Sequence, residues 1–235
     1  MTVAVDETLF KAQYGEDRIL WELFRHMRHG YYIDVGAYNG VTFSNTYFFE
    51  RMGWHGILIE PVEANCDEAA ETRPNSRLIH AACCRPADRG TVSFTQAEGN
   101  LVLSYLRADP EHTERCLREG ATLVEVEVPA MTLDEIILAE KKNPHQGVGP
   151  WVPHVGWRID LVSIDVEGVE MDVLEGFNLD RFRPSVMVIE NDRPSGGAIE
   201  SYLRVRGYIK CHRQVINDFY IRADASPRDL AITRS

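Results

Sequence analysis

Short apolar runs alternate along the chain with segments in which apolar residues recur every three or four positions. The first pattern is typical of strands that are buried on both faces, and the second of amphipathic helices. The predicted strands are 31–35, 56–60, 77–82, 159–165 and 185–190. The predicted helices are 16–29, 44–52, 62–71, 132–142 and 170–175. This alternation predicts an α/β fold with one doubly wound, mostly parallel sheet that carries helices on both faces.

Three segments depart from the regular alternation. Strands predicted at 91–95 and 123–128 have little helix between them, and the tail predicts a terminal hairpin at 208–211 and 218–222. Residues 141–157 form a loop that is rich in Gly and Pro and contains two Trp and two His. Long loops of this kind are more often functional than not, so we expect this one to cover the substrate.

The length, charge and cysteines limit the class of protein. A chain of 235 residues is enough for one large domain, and we predict an N-terminal helical segment at 1–30 followed by a single domain at 31–235. The net charge of −11 argues against a nucleic-acid partner, because phosphate binding relies on Lys and Arg. No apolar stretch approaches the ~20 residues of a membrane span, and the five cysteines form no C-x-x-C pair. We therefore expect a cytoplasmic protein with reduced thiols and no membrane partner.

A glycine-bearing turn follows the first predicted strand, in the segment DVGAYNG at 34–40. In open α/β sheets, ligands bind beyond the carboxyl ends of the strands. Gly36 and Gly40 allow a sharp turn and a close approach of the backbone to a ligand, which a Cβ would obstruct. The spacing is not G-x-G-x-x-G, so a pyrophosphate cradle is poorly supported. Asp34 instead suits the cationic amine of a bound amino-acid group or its associated water.

A second acid, Glu60, ends the next predicted strand. A carboxylate in this position accepts hydrogen bonds from ribose hydroxyls in other nucleoside-binding sheets. Glu60 alone could be a surface residue. Because Asp34 and Glu60 both end neighbouring strands, the pair favours a nucleoside site.

Acidic segments also follow the strands predicted at 159–165 and 185–190, namely DVEG at 165–168 and END at 190–192. Both strands are expected beside the first one, so these side chains would open on the same cleft. Asp165, Glu190 and Asn191 would supply two carboxylates and an amide oxygen, which are ligands that Mg²⁺ accepts. We predict a Mg²⁺ site there; the alternative is a site without metal, in which Asp165 contacts the bound ligand directly.

Four segments carry a resemblance to a known family. They are QYGED at 13–17, YYIDVGAYNGVTFSNTYFFE at 31–50, GWHGILIEP at 53–61 and IDLVSIDVEGVEMDVLEGFNLDRFRPSVMVIEND at 159–192. In this order they resemble the FkbM-type methyltransferases. The resemblance implies a Rossmann-like class I fold with a seven-stranded sheet and an antiparallel terminal hairpin. It also implies that methyl is transferred from S-adenosylmethionine, usually to a hydroxyl of a natural product, sugar or lipid-linked glycan.

The same resemblance implies which residues contact the methionine part of the cofactor. Asp34, Gly36 and Gly40 would line it, and Ser44 and Asn45 would hold its carboxylate. These assignments agree with the independent interpretation of Asp34 as the partner of a cationic amine.

For the nucleoside part, the resemblance assigns the ribose to Glu60 and the adenine to Ala81 or Ala82. Tyr38 stands where many members of the family have Asn. The complete set of expected cofactor contacts is Gln13, Asp34, Gly36, Ala37, Tyr38, Gly40, Ser44, Asn45, Glu60, Pro61, Ala81, Ala82 and Asp165.

The favoured interpretation is an O-methyltransferase for a small hydroxylated acceptor. Methyl transfer from a sulfonium is an in-line displacement, so the enzyme positions two substrates and removes a proton. A metal bound by Asp165 would acidify the acceptor hydroxyl. Without a metal, the candidate bases are Glu167, His145 and His154. The alternatives are a nicotinamide-dependent oxidoreductase, which the missing third glycine disfavours, and a non-catalytic nucleoside-binding module. A homo-oligomer is compatible with the sequence.

Overall fold

A seven-stranded sheet lies at the centre of the computed structural model, which describes residues 5–107, 110–143, 158–192 and 197–225. The strands are β1 Tyr31–Val35, β2 His55–Glu60, β3 Ser76–His80, β4 Ala82–Cys83, β5 Gly90–Glu98, β6 Thr122–Met131, β7 Leu161–Ile164, β8 Val186–Glu190, β9 Tyr208–Gln214 and β10 Asn217–Arg222. The helices are α1 Glu16–Phe24, α2 Tyr47–Arg51, α3 Glu63–Thr72, α4 Pro110–Arg118, α5 Leu133–Lys142, α6 Glu170–Glu175, α7 Leu179–Phe182 and α8 Ala198–Arg204.

The strand order of the central sheet is β3-β2-β1-β7-β8-β10-β9. Neighbours from β3 to β8 run parallel, whereas β10 is antiparallel to both β8 and β9. The predicted doubly wound, mostly parallel sheet with an antiparallel terminal hairpin is therefore confirmed. The direction of winding reverses between β1 and β7, and ligands of such sheets bind beyond the strand ends at that position.

Apolar side chains cover both faces of the central sheet. Ile33 and Val35 of β1 share one core with residues of α5, α6 and α8. Tyr32, which points to the opposite face, shares the other core with residues of α1, α2 and α3. Gly30 shows how close the packing is in this second core. A Cβ at this position would lie 2.5 Å from the ring of Trp54. The sheet is thus buried on both faces, as near-continuous apolar strands require.

The ends of two helices show how local hydrogen bonds set their limits. The predicted capping box of α5 is present: Thr132 Oγ1 accepts from Glu135 N at 3.2 Å, and Glu135 Oε2 accepts from Thr132 N at 3.0 Å. Helix α2 begins at Tyr47 rather than at the predicted residue 44, because Ser44 Oγ accepts from the N–H groups of Thr46 and Tyr47. No helix in the described residues is long and apolar enough to cross a membrane.

A second, three-stranded sheet of order β4-β6-β5 is inserted between β3 and β7. The strands predicted at 91–95 and 123–128 belong to it as a long antiparallel pair, so they do not extend the central sheet. Helix α4, between these strands, was not predicted. Its sequence is mostly polar and it buries only His112 and Cys116, so no apolar periodicity marks it as a helix.

A buried ion pair ties α3 to α2 beneath the turn after β1. Arg73 is 2% exposed, and its Nε donates to Glu50 Oε2 at 2.8 Å. Its Nη atoms donate to the carbonyl of Gly40 at 2.6 Å, to Tyr32 Oη at 2.9 Å and to Thr46 Oγ1 at 3.0 Å. One guanidinium at the end of α3 is therefore bonded to β1, to the turn after it and to α2.

We predict that Glu50→Ala destabilises the protein by about 3–5 kcal/mol, because Arg73 would remain buried without an anion. The matched control is Glu22→Ala, which removes an exposed ion pair with Arg25 and should cost less than about 1 kcal/mol. Urea unfolding measures both free energies. Equal losses of unfolding free energy in the two variants would contradict a larger contribution from the buried pair.

Candidate active site

A cavity of about 360 Å³ opens at the carboxyl ends of β1, β2, β7 and β8. Parallel pairing brings these ends together, since Val35 lies beside Ile59 on one side and Ile164 on the other. The expected cofactor contacts that line the cavity are Gln13, Asp34, Gly36, Ala37, Tyr38, Ser44, Asn45, Glu60, Pro61, Ala81, Ala82 and Asp165. The structure thus collects residues from segments that are far apart in sequence.

Gly36 allows the ends of β1 and β7 to approach each other. It has a φ of 80°, and a Cβ at this position would lie 1.7 Å from the carbonyl oxygen of Asp165. The N–H groups of Gly36 and Ala37 both donate to the carbonyl of Ile59, at 3.0 and 3.1 Å. Glycine is therefore required at this turn for close packing of the backbone.

Gly40 is not among the residues that line the cavity, so its expected contact with the cofactor stays a prediction. It is buried, and its carbonyl accepts the bond from Arg73 described above. A Cβ on Gly40 would lie 2.8 Å from Arg73 Cγ. Close packing against the end of α3 therefore explains its glycine.

Asp34 is buried at the end of β1 and is held by hydroxyl groups of the following turn. Its Oδ2 accepts from Thr46 Oγ1 at 2.6 Å and from Ser44 Oγ at 3.4 Å. Burial raises the pKa of Asp34, while these hydroxyls and the charge of Arg73 oppose the increase. The carboxylate is therefore fixed in orientation before any ligand binds.

Asn45 lies beside Asp34 and lines the cavity with a polar atom to spare. Its Nδ2 donates to Ser163 Oγ at 3.0 Å, whereas its buried Oδ1 accepts no hydrogen bond from the described residues. A buried amide oxygen without a donor is costly. Asn45 is therefore suited to accept a bond from a donor group of a ligand.

Glu60 is also buried, and its carboxylate organises the loops around it. Its Oε2 accepts from the N–H of Tyr38 at 2.9 Å, and its Oε1 accepts from Val62 N at 2.9 Å and Asn65 Nδ2 at 3.1 Å. Burial raises the pKa of Glu60, against the effect of these bonds. A carboxylate offers about four acceptor positions, so capacity remains for a ligand hydroxyl.

The N-terminal segment reaches the cavity because two buried acids hold it there. Asp17 Oδ2 accepts from the N–H groups of Lys11 and Ala12, at 2.6 and 3.0 Å. Glu16 Oε1 accepts from Asn217 Nδ2 at 2.8 Å, which links this segment to β10. These contacts place Gln13 in the lining.

Three carboxyl groups, those of Asp165, Glu167 and Glu190, form a cluster at the other end of the cavity. One oxygen of each lies within 4.8 Å of the others. Burial raises the pKa of all three, and repulsion among their charges adds to this increase for Glu167 and Glu190. Burial also raises the pKa of the adjacent Glu170 to about 7. The cluster consequently retains protons, or a cation, more readily than separate carboxylates would.

Asn191 follows Glu190 and is engaged through its amide nitrogen. Its Nδ2 donates to Asp218 Oδ2 at 2.8 Å, within an ionic group that includes Arg213. Glu167 is the third carboxyl group of the cluster, and a metal contact through the amide oxygen of Asn191 stays a prediction. The candidate bases His145 and His154 lie outside the described residues, as does most of the loop predicted at 141–157.

The inserted sheet supplies part of the lining that sequence analysis missed. The lining residues from this insertion are Phe94, Leu101, Val102, Ser104, Leu106 and Arg115. Helix α4 also brings the buried His112 to the carboxyl cluster, with Nδ1 3.5 Å from Glu167 Oε2. The sequence indicated only the two strands of this insertion. It did not indicate which of their side chains line the cavity, because those side chains become neighbours through tertiary packing.

Comparison with known families decides the class of the protein. The model of the methyltransferase FkbM domain matches residues 34–146 and 152–210. The chain belongs to the FkbM methyltransferase family. It is an S-adenosylmethionine-dependent methyltransferase of class I fold, which excludes the oxidoreductase and the non-catalytic module as its class. A comparison with curated proteins gives no match.

Several solved structures resemble this FkbM methyltransferase in fold. The METTL16 MTase domain is 11% identical with a TM-score of 0.45, covering 92% of this chain and 68% of that one. Precorrin-6y C5,15-methyltransferase from Geobacter metallireducens is 12% identical with a TM-score of 0.42, covering 93% and 91%. M. capricolum TrmK, in complex with S-adenosyl-homocysteine, is 9% identical with a TM-score of 0.36, covering 82% and 61%.

The residues at the β1 and β2 ends of the cavity fit S-adenosylmethionine. Asn45 Oδ1 accepts no hydrogen bond from the described residues, so it suits the ammonium group of the methionine part, whereas the expected contact of Asn45 with the carboxylate stays a prediction. Glu60 retains acceptor capacity for ribose, and the small Ala81 and Ala82 leave space for a base. The FkbM methyltransferase therefore has polar groups suited to the methionine part and to the ribose of the cofactor.

We predict that Glu60→Gln weakens binding of S-adenosylhomocysteine by about 1–3 kcal/mol, because bonds to a charged acceptor are lost. Glu63→Gln, on the exposed first turn of α3, is the matched control and should leave the affinity unchanged. Calorimetry of both variants measures the dissociation constants. Unchanged affinity in Glu60→Gln would rule out the ribose role.

Proposed function

We propose that the enzyme methylates a hydroxyl group of a small metabolite of the natural-product, sugar or glycan type. The observation that carries the proposal is that one cavity contains both the nucleoside-type residues and the carboxyl cluster of Asp165, Glu167 and Glu190. Transfer of methyl to a hydroxyl requires that its proton be removed, and a positioned carboxylate can accept that proton. Two substrates and a proton acceptor can thus share one enclosed space.

Cofactor binding in this proposal uses the residues at the ends of β1 and β2. S-adenosylmethionine, when bound, supplies a methyl group on a positively charged sulfur. Asp34 and Asn45 would hold the methionine part and Glu60 the ribose, with Ala81 and Ala82 beside the adenine. Hydroxyl groups already fix the side chain of Asp34, so this side chain loses little conformational freedom when the cofactor binds. A fixed carboxylate favours a single orientation of the cofactor.

Glu167 is the proton acceptor in this proposal. It lines the cavity on a left-handed backbone with a φ of 56°. His112 Nε2 lies 2.8 Å from the carbonyl of Leu103, so this nitrogen donates and Nδ1 faces Glu167. In this tautomer Nδ1 is an acceptor, so it hydrogen-bonds Glu167 once that carboxyl group carries the proton taken from the acceptor hydroxyl. Burial raises the pKa of Glu167, which makes its carboxylate a stronger base.

Metal assistance is the second candidate, favoured by the proximity of the three carboxyl groups. Asp165, Glu167 and Glu190 have the ligand type and spacing for Mg²⁺, although they differ from the set predicted by sequence. Such an ion would supply Lewis acidity to the acceptor hydroxyl. The two candidates assign different roles to Glu167, which is a base in the first and a ligand in the second.

The acceptor atom can be identified directly. Purified enzyme is incubated with S-adenosylmethionine carrying a carbon-13 methyl group and with fractionated small-molecule extracts. We expect the label to appear in a methyl ether, which its carbon-13 chemical shift distinguishes from N-methyl and C-methyl products. Label found only on nitrogen or carbon would refute O-methylation.

A chelator and a base variant separate the two routes. With Glu167 as the base, activity persists in excess chelator, and Glu167→Gln lowers kcat by about 10²–10⁴-fold while S-adenosylhomocysteine affinity is retained. With a metal, the chelator abolishes activity, Mg²⁺ restores it, and Asp165→Asn prevents the rescue. Glu119→Gln is the control, because Glu119 is an exposed partner of Arg115 and its substitution also removes a negative charge near that arginine. Full activity of Glu167→Gln would contradict its role as base.

A further inference from the structure

Three large apolar side chains from separate segments form an apolar rim at the opening of the cavity. Tyr14 belongs to the N-terminal segment, Phe43 to the turn before α2 and Ile216 to the turn between β9 and β10, and all three line the cavity. Tyr14 and Phe43 are 36% and 47% exposed. Isolated exposed apolar residues are common on protein surfaces, but three that meet at the opening of a cavity indicate contact with a ligand.

The segments that carry the apolar rim are joined by contacts that do not use its side chains. A parallel bridge connects the backbone of Ala12 to that of Phe43. Gln214 Nε2 donates to the carbonyl of Tyr14 at 2.8 Å, and the carbonyl of Ile216 accepts from a neighbouring N–H group. The rim side chains can therefore be shortened while these bonds are kept.

The apolar rim borders the space in which the methyl acceptor must lie. Phe43 is two residues before Asn45, at the end of the cavity suited to the methionine part. Ile216 lies at the other end, where its carbonyl accepts from the N–H of Asn191 at 2.8 Å, next to the carboxyl cluster. In-line transfer requires the acceptor oxygen to lie between the methyl group and the proton acceptor, Glu167. The body of the acceptor consequently faces the apolar rim.

The apolar rim and the carboxylate base both favour an aromatic hydroxyl over a sugar hydroxyl. A sugar carries a hydroxyl on almost every carbon, and these groups would lose hydrogen bonds to water against apolar side chains. A flat aromatic ring packs well against the rings of Tyr14 and Phe43. A phenol also has a pKa of about 10, whereas an aliphatic hydroxyl resembles water, whose pKa is about 16. A carboxylate therefore removes the proton of a phenol more readily.

We propose that the acceptor is a phenol whose aromatic ring lies against Tyr14, Phe43 and Ile216, with its hydroxyl directed at the carboxyl cluster. The inference rests on the proposed O-methylation and narrows it to one class of substrate. The phenol oxygen forms a bond to the methyl carbon as the bond from that carbon to sulfur breaks, and the electron pair of the broken bond goes to sulfur. The phenol proton goes to Glu167, so the product is an aryl methyl ether.

Binding of 2-naphthol to the enzyme saturated with S-adenosylhomocysteine tests the apolar rim by calorimetry. We expect 2-naphthol to bind more tightly than methyl α-glucoside. Tyr14→Ala and Ile216→Ala should each raise the dissociation constant of 2-naphthol by about three- to tenfold, because apolar contacts with the ring are lost. Val215→Ala is the matched control and should change it by less than about twofold, since Val215 is exposed beside Ile216 but does not line the cavity.

The affinity for S-adenosylhomocysteine alone shows which ligand the apolar rim contacts. It should stay within about twofold of the wild-type value in all three variants. A loss as large as the loss for 2-naphthol would assign Tyr14 or Ile216 to the cofactor and overturn the proposal. The proposal also fails if 2-naphthol does not bind, if the glucoside binds more tightly, or if neither rim variant changes the affinity for 2-naphthol.

Transfer of a carbon-13 methyl group to fractionated extracts separates this inference from the proposed function. A long-range proton–carbon correlation shows whether the labelled methoxy group is attached to an aromatic or to a saturated carbon. We expect an aromatic carbon. A saturated carbon would refute the phenol and leave O-methylation intact, whereas label on nitrogen or carbon would refute O-methylation itself.

Discussion

The guanidinium of Arg73 is the charge on which the geometry of the site depends. A fully buried cation is tolerated only when its hydrogen bonds are satisfied and an anion lies beside it. Glu50 supplies the anion, and Gly40, Tyr32 and Thr46 supply the remaining acceptors. Thr46 in turn donates to the carboxylate of Asp34 at the end of β1. The position of Asp34 therefore depends on the buried charge of Arg73 on the opposite side of the turn.

Parallel pairing imposes a second constraint on the site. Strands that run side by side in one direction bring their carboxyl ends to one edge, and here each of these ends carries an acid. Asp34 and Glu60 accept hydrogen bonds from hydroxyl and N–H groups of the chain, which favour their charged forms. Burial raises the pKa values of Asp165, Glu167 and Glu190, and repulsion within the cluster adds to the increase for Glu167 and Glu190, so this end of the cavity is able to bind protons or cations. The two ends of the cavity therefore differ chemically although their residues are alike.

Sequence patterns predicted the features that depend on one strand and on the residues directly after it. The succession of strands and helices along the chain, and the positions of Asp34 and Glu60 at strand ends, are of this kind. The partners of Gly40 and Asn191 lie far along the chain, at the end of α3 in one case and in the terminal hairpin in the other, so no local pattern indicated them. Helix α4 escaped prediction because its buried residues are a histidine and a cysteine, which leave no apolar stripe.

Local sequence patterns describe the residues around the cavity less well than the rest of the molecule. Of the five non-glycine residues with left-handed backbone in the described chain, Tyr38, Phe43 and Glu167 line the cavity. Such strain persists only where surrounding contacts impose it, and it is commonest at functional sites. The inserted sheet and α4 pack largely through small apolar clusters of their own, separate from the two cores of the central sheet. Because their packing is separate, side chains of this wall can be exchanged with little effect on the central sheet.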